Sequence, residues 1–307
     1  MNDLIIIDLP KKNGEVTGLW YDGYPVHKGA TESSLNYATL LAHEQNIIPD
    51  QKRIHSEYEL FKNTLKKAGF RIHSLPFPKE LNQKNNLHHD AIFIRDAGMM
   101  IGDKWIQANF SVTDRQIEAS IHAKAISQIF NKQIVKLPER AFMEFGEVYF
   151  LQTANGSYYF GGLSRSNKTG HDAVRKIINP DHYCLIESQG YHIDTVLSPV
   201  ISKDNILIAL LVVVSALTAS SLKSLHELNI PIIPLDESDG AGRGVDLGKY
   251  ATNVVPAPGL LINCSDFSTP GVEDKLRKLK IQRLNSPLTD FRFAGGSYHC
   301  LTNEIYH

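Results

Sequence analysis

The chain lacks a net charge of either sign: its 307 residues carry 32 Lys and Arg against 33 Asp and Glu. That balance argues against a basic nucleic-acid binder and against a polyacidic tail. Cysteine is scarce, with only Cys184, Cys264 and Cys300. Three thiols build no disulfide framework, and the odd count leaves at least one free. With no Cys-x-x-Cys spacing, a zinc site is not expected. Few thiols and no framework fit a reducing, cytoplasmic setting. Long apolar runs are missing as well. The longest, residues 206–217, falls short of the roughly 18–20 residues of a membrane span. Residues 1–8 carry no basic leader region or cleavage site, and read as a buried strand. No Pro-, Gly- or Ser-rich linker cuts the chain. No phosphate-binding glycine loop is present either: Gly240, Gly242 and Gly244 stand at the wrong spacing, so 238–248 reads as a mobile loop. What remains is a globular chain, 42% hydrophobic, suited to small-molecule chemistry or a neutral protein interface.

Strand-like and helix-like segments alternate throughout, which predicts α/β architecture. Apolar residues three or four apart predict helices over 56–69, 113–131, 168–178, 217–229 and 271–278. In the first, Tyr58, Phe61, Leu65 and Ala68 share a face and Gly69 ends it. Short β-like runs follow each helix, at 70–75, 133–137, 182–186, 230–235 and 279–284. Each then leads into another strand–turn–strand, as in 91–100 with 104–110. The unit helix–strand–strand–strand thus occurs five times. Polar residues near its middle strands recur at similar distances. Asp96 to Glu144 is 48 residues, Glu144 to His192 again 48, His192 to Asn253 61, and Asn253 to Cys300 47. Five such units would close into a ring and converge these residues on its axis. An open doubly wound sheet would place its site elsewhere, at a switch point.

Several of these residues can do chemistry. Cys300 follows Gly295-Gly296, which permit close backbone approach. Cys184 and Cys264 lie in apolar strand runs and read as buried structural thiols. His192 and Asp194 fall on one face if the segment is a strand, placing an imidazole beside a carboxylate. Asp96 and Glu144 sit among apolar residues, so each needs a partner when buried. Arg95 would alternate away from Asp96 in a regular strand. A thiol beside a His suits attack on an electrophilic carbon. Clustered carboxylates suit a guanidinium, whose five N–H donors match them.

At these residues the sequence resembles the guanidine-modifying superfamily. Its members are arginine and agmatine deiminases, dimethylarginine dimethylaminohydrolases and glycine amidinotransferases. The similarity runs over about 55–305. It rests on the C-terminal Gly295-Gly296-Ser297-Tyr298-His299-Cys300-Leu301-Thr302-Asn303-Glu304-Ile305. Phe93-Ile94-Arg95-Asp96, Gly162-Leu163-Ser164-Arg165, His192-Ile193-Asp194 and Asn253-Val254-Val255-Pro256 match further blocks in order. The resemblance implies a five-bladed α/β propeller without metal or cofactor. Residues 1–54 would form an N-terminal extension or lid to one catalytic domain, with 55–307 as the propeller. Residues 33–46 read as a helix or a lid.

The resemblance also implies roles. Cys300 would attack the guanidinium carbon to give a covalent thiouronium. His192 would protonate the departing amine and then activate water. Glu144 would orient His192, and Asp96 and Asp194 would grip the guanidinium nitrogens. Asp90 matches an α-amino contact of the dimethylarginine hydrolases, and Arg115 and Arg165 match their carboxylate-binding arginines. The chain departs from the family where Glu-Gly-Gly-Asp becomes Glu144-Phe145-Gly146-Glu147, adding bulk near the site. In the Gly162-Leu163-Ser164 block the arginine stands one residue closer than usual.

A second acid at Asp194 favours an unmethylated guanidine, because a methyl group cannot donate to a carboxylate. The expected activity is hydrolysis of arginine or an N-substituted arginine, giving citrulline plus ammonia or an amine. The expected partner is this small guanidine, with no nucleic acid and no membrane; a homo-oligomer stays open. Amidino transfer to an amine acceptor would use the same residues. A non-catalytic arginine-binding protein is the alternative from another class.

Overall fold

A computed structural model describes residues 3–10, 37–45, 47, 49–83, 86–243 and 246–306. The fold is mixed α/β with several sheets. Five three-stranded units share one plan. In the first, Asp3–Ile7 (β1) lies parallel to Arg71–Leu75 (β2), with Leu4 opposite Ile72. The second holds Gly98–Ile101 (β3), Lys104–Gln107 (β4) and Gln133–Val135 (β5). The third holds Val148–Thr153 (β6), Gly156–Gly162 (β7) and His182–Ile186 (β8). The fourth holds Leu197–Ile201 (β9), Leu207–Val213 (β10) and Ile232–Leu235 (β11). The fifth holds Val255–Ala257 (β12), Leu260–Asn263 (β13) and Gln282–Asn285 (β14). In these last four, the first pair is antiparallel and the second parallel. Asn303–Tyr306 (β15) supplies the antiparallel neighbour that the first unit needs, pairing Leu4 with Glu304, and its parallel pairing with β3 joins the first two units in one six-stranded sheet.

A helix makes each parallel crossover. Gln51–Lys67 links β1 towards β2, and Gln116–Phe130, Lys168–Ile178, Ala219–Glu227 and Val272–Lys278 do the same in the other units. The expected helices are therefore all present, 168–178 with its expected bounds and the others with shifted ends. The first starts earlier than 56, because Asp50 caps it by accepting from the N–H groups of Lys52 and Arg53. It buries Ile54, Tyr58, Phe61 and Leu65, and Gly69 follows at φ +89°. Arg53 donates twice to buried Asp290, and Glu57 accepts from Thr289, pinning this helix to the segment before Cys300.

Residues 3–7 form the buried strand expected of 1–8; it lies between β15 and β2, because Ile5, Ile6 and Ile7 fill both faces of a covered sheet. Of residues 33–46, Tyr37–Glu44 is a helix that buries Ala38, Leu41 and Ala42; 33–36 and 46 lie outside the described residues. In 238–248, Gly242–Arg243 pairs with Asp246–Leu247, and 244 and 245 lie outside the described residues. Among the described residues, no helix is long and apolar enough to cross a membrane.

Candidate active site

The polar repeat residues occupy one kind of place: each stands just before the first strand of a unit. The expected long strands around them are shorter than the periodicity suggests. Asp96 lies on a single helical turn, Ile94–Ala97, ahead of β3. Glu144 precedes the 3-10 turn Phe145–Glu147 ahead of β6. His192 precedes the 3-10 turn Ile193–Thr195, which contains Asp194, ahead of β9. Asn253 and Cys300 lie in turns ahead of β12 and β15. His192 and Asp194 thus do not share a strand face. The 3-10 turn sends them to different partners.

His192 is buried between two acids. Its Nε2 donates to Glu144 Oε2 at 2.9 Å, and its Nδ1 lies 3.6 Å from Asp96 Oδ1. Burial opposes its charge, but Asp96 and Glu144 outweigh that and raise it to about 9. The imidazole is therefore protonated at neutral pH. Gly146 makes this packing feasible: a Cβ there would strike the His192 ring and lie 2.7 Å from Asp96 Oδ1. Phe145 does not fill the pocket, as its bulk suggested; its ring packs with Met143, Val148 and Tyr159 in an apolar cluster.

Cys300 is also buried. Its Sγ donates to Asp194 Oδ2 at 3.3 Å and receives Asn253 Nδ2 at 3.2 Å. Asn253 Oδ1 accepts the N–H groups of His299 and Cys300 at 2.9 and 3.2 Å. One amide thus fixes both the thiol and its turn. Gly296 allows the turn to approach, since a Cβ there would collide with the Phe93 ring. Burial, then the charges of Asp194 and Asp96, push the thiol well above its ordinary value. The resting pair is a neutral thiol and an imidazolium.

Asp194 is ionised: burial works against it, but His299 donates from Nδ1 at 2.8 Å and holds it below the usual range. Asp96 is raised by burial despite His192 and Arg115. Both have one buried oxygen, Oδ1, with no hydrogen-bond partner. Arg115 reaches the site but spends its donors inside the protein: NH1 on Asp96 Oδ2 at 2.8 Å, and Nε and NH2 on Glu118 Oε2 at 2.9 and 2.8 Å. Its NH2 also reaches the Asp90 carbonyl oxygen at 3.4 Å, which brings buried Asp90 beside this cluster. Arg95 pairs with Glu304 rather than Asp96, though on a helical turn and not in the strand whose alternation was expected to separate them.

Arg165 stands further out, stacked 4.3 Å over the Tyr191 ring. Tyr191 lines a cavity of about 220 Å³ with Ala38, Thr195, Glu237, Ala241 and Tyr250. Sequence reasoning missed Glu147, Glu118 and His299. Glu147 is fully buried, accepts the N–H groups of Arg165 and Ile193 at 2.6 and 2.9 Å, and is raised by burial to about 7. Gly162 makes room for it. Glu118 was detectable as an acid three residues after Arg115 at the start of a helix. Asn253 was visible as a repeat position, though not assigned to the site. Cys184 and Cys264 are buried, as expected. Among the described residues, no group of three His, Cys, Asp or Glu side chains could hold a metal ion.

No protein-family model and no curated protein matches the sequence. Solved structures do match the fold. The N-terminal domain of ArgZ, a cyanobacterial arginine dihydrolase, was solved as a cysteine-to-serine variant bound to substrate. It has a TM-score of 0.73 at 20% identity, over 99% of this chain and 98% of that one. AgrE, bound to ornithine and NAD+, gives 0.74 at 20% identity, over 99% of this chain but 39% of its own. DDAH from Pseudomonas aeruginosa, complexed with citrulline, gives 0.69 at 14% identity, over 98% of both chains. The similarity extends to the described start of the chain, beyond the part where the sequence motifs fall.

Proposed function

We propose that the chain is a hydrolase of the guanidine group of arginine or an N-substituted arginine. One observation carries this reading: the buried Oδ1 atoms of Asp96 and Asp194 accept no hydrogen bond, although that of Asp96 faces His192 Nδ1 at 3.6 Å, and the charges of both acids act on the Cys300 thiol. Buried acceptors without donors are costly. A planar cation with several N–H groups would satisfy both and lower the thiol's proton affinity by its charge. The fold shared with an arginine dihydrolase domain and with DDAH supports the same reading.

In this mechanism the bound guanidinium expels the Cys300 proton to solvent. The thiolate attacks the guanidinium carbon, and the C=N electron pair moves to nitrogen. His192 gives its proton to the leaving nitrogen, and the C–N bond breaks to leave a thiouronium. Neutral His192 then takes a proton from water, whose oxygen attacks the same carbon. Collapse expels the thiolate and forms the urea group of citrulline; the remaining hydroxyl proton goes to the released amine. Asp90 and Arg165 would meet the amino-acid end, with the tail directed to the cavity beside Tyr191. Arg115 would join them only by leaving part of its contact with Asp96 and Glu118. We further propose that the five three-stranded units stand as blades around this site, forming one catalytic domain.

The test is a panel of arginine, Nω-methylated arginines and agmatine, with both products identified by mass. The expected result is a ureido product plus ammonia or a methylamine, and an adduct on Cys300 in quenched samples. Absence of turnover on every member sinks the proposal. Adding glycine separates transfer from hydrolysis, because transfer would give an amidino-glycine.

A further inference from the structure

We infer that His299 is a positioning residue for the proposed reaction: its Nδ1–H holds Asp194 anionic and oriented beside the Cys300 thiol. The inference rests on the hydrolase reading above. A carboxylate oxygen only accepts, so the 2.8 Å contact between His299 Nδ1 and Asp194 Oδ2 places the proton on Nδ1. The same Oδ2 receives the Cys300 S–H at 3.3 Å. With two donors on Oδ2, the carboxylate plane is set and Oδ1 stays open for a ligand N–H. All of these groups are buried.

His299 is itself held on several sides. Its N–H donates to Asn253 Oδ1 at 2.9 Å, and its ring lies 4.2 Å from that of Tyr149 on β6. Arg95 Nε donates to its carbonyl oxygen at 3.3 Å. Its ring also lines a second cavity, of about 260 Å³, with Glu304, Tyr149, Lys203 and Tyr306. The ionisable groups around His299 are therefore Asp194, Arg95, Glu304, Tyr149, Tyr306, Lys203 and Cys300. Burial and the Arg95 charge keep it neutral, against the pull of Asp194 and Glu304. Two histidines near the thiol thus differ in kind. His192, flanked by two acids, carries a mobile proton; His299, beside an arginine, is a neutral donor.

Two variants test this. His299→Asn keeps an N–H near the place of Nδ1, whereas His299→Leu keeps bulk without a donor. For His299→Leu we expect kcat/KM to fall about 10- to 100-fold, the loss of one hydrogen bond to a charged group. The break in the pH profile where Asp194 takes a proton should move up by about one to two units. His299→Asn should restore most of both. Equal profiles for the wild type and His299→Leu overturn the inference while leaving the hydrolase reading intact. An inactive wild type overturns that reading and this role with it. A folding failure of His299→Leu is covered by ¹⁵N spectra of histidine-labelled wild type, assigned with His299→Asn. The expected signal is a neutral ring with its proton on Nδ1 at neutral pH; an Nε2–H form overturns the inference.

Discussion

Cys300 meets two carboxylates before it meets any substrate, and that charge order sets its chemistry. A thiol in this field keeps its proton, while His192 keeps one too. The resting pair therefore holds one proton more than the proposed thiolate–imidazolium complex with a bound cation can use. Each unit of pH below the first ionisation, at about 9, should cost tenfold in kcat/KM. A pH–rate profile checks this: a slope near one up to about pH 9 is expected, and a profile already flat at pH 7 contradicts it. Replacing the proposed nucleophile is the sharper test. Cys300→Ser should lose roughly 10³- to 10⁶-fold in turnover. Its Tm should stay within a few degrees, because one buried atom changes and its Asn253 contact can persist. Near-normal turnover would remove Cys300 from its role. The residue types of this site were legible in the sequence, since Asp96, Glu144, His192 and Cys300 recur at similar spacing. Their pairing was not. Asp96 called for a partner that the sequence did not identify, and only the fold brings Arg115 and His192 to it.

The elements that carry the site are short turns, not the strands that apolar alternation suggested. A strand would fix His192 and Asp194 on one face. The 3-10 turn separates them, so one serves the Glu144 side and the other the Cys300 side. Such turns have no hydrophobic period of their own, which is why the sequence read them as strand beginnings. Glycine is their strongest remaining signal. Gly146→Ala would drive a methyl group into the His192 ring and Asp96. We expect kcat/KM to drop about 100-fold from displaced catalytic groups. Stability should fall by about 1–3 kcal/mol, as in other overpacked sites. Urea unfolding and steady-state kinetics on the same preparation would show whether both losses occur. The long crossover helices, by contrast, were legible from their periodicity. Caps at Asp50 and Thr218 set the first turns of two of them, whereas the helix expected from 113 opens with a 3-10 turn and starts at Gln116.

At the scale of the whole molecule, the described start and end of the chain complete one sheet. β1 lies between β15 and β2, and Ile5 faces Asn303 with no exposure. Ile5→Ala should therefore cost about 2–5 kcal/mol, the loss for a buried large side chain. A change under 0.5 kcal/mol in denaturant titration would mean that this segment is an appendage after all. The near-zero net charge also takes on a local meaning. Acids are concentrated in the buried site, with Arg115 and Arg95 held against Asp96 and Glu304. The sequence by itself determined the α/β class, the five-fold recurrence and the chemical types at the recurring positions. Those follow from local periodicity and residue chemistry, which need no knowledge of neighbours. Only the tertiary structure decided that residues 3–7 belong to a sheet with 303–306. It alone decided that Arg115 spends its charge on Asp96 and Glu118, and that His299 stands behind Asp194. Those contacts join residues tens to hundreds of positions apart, where burial and charge pairing, not local preference, set the free energy.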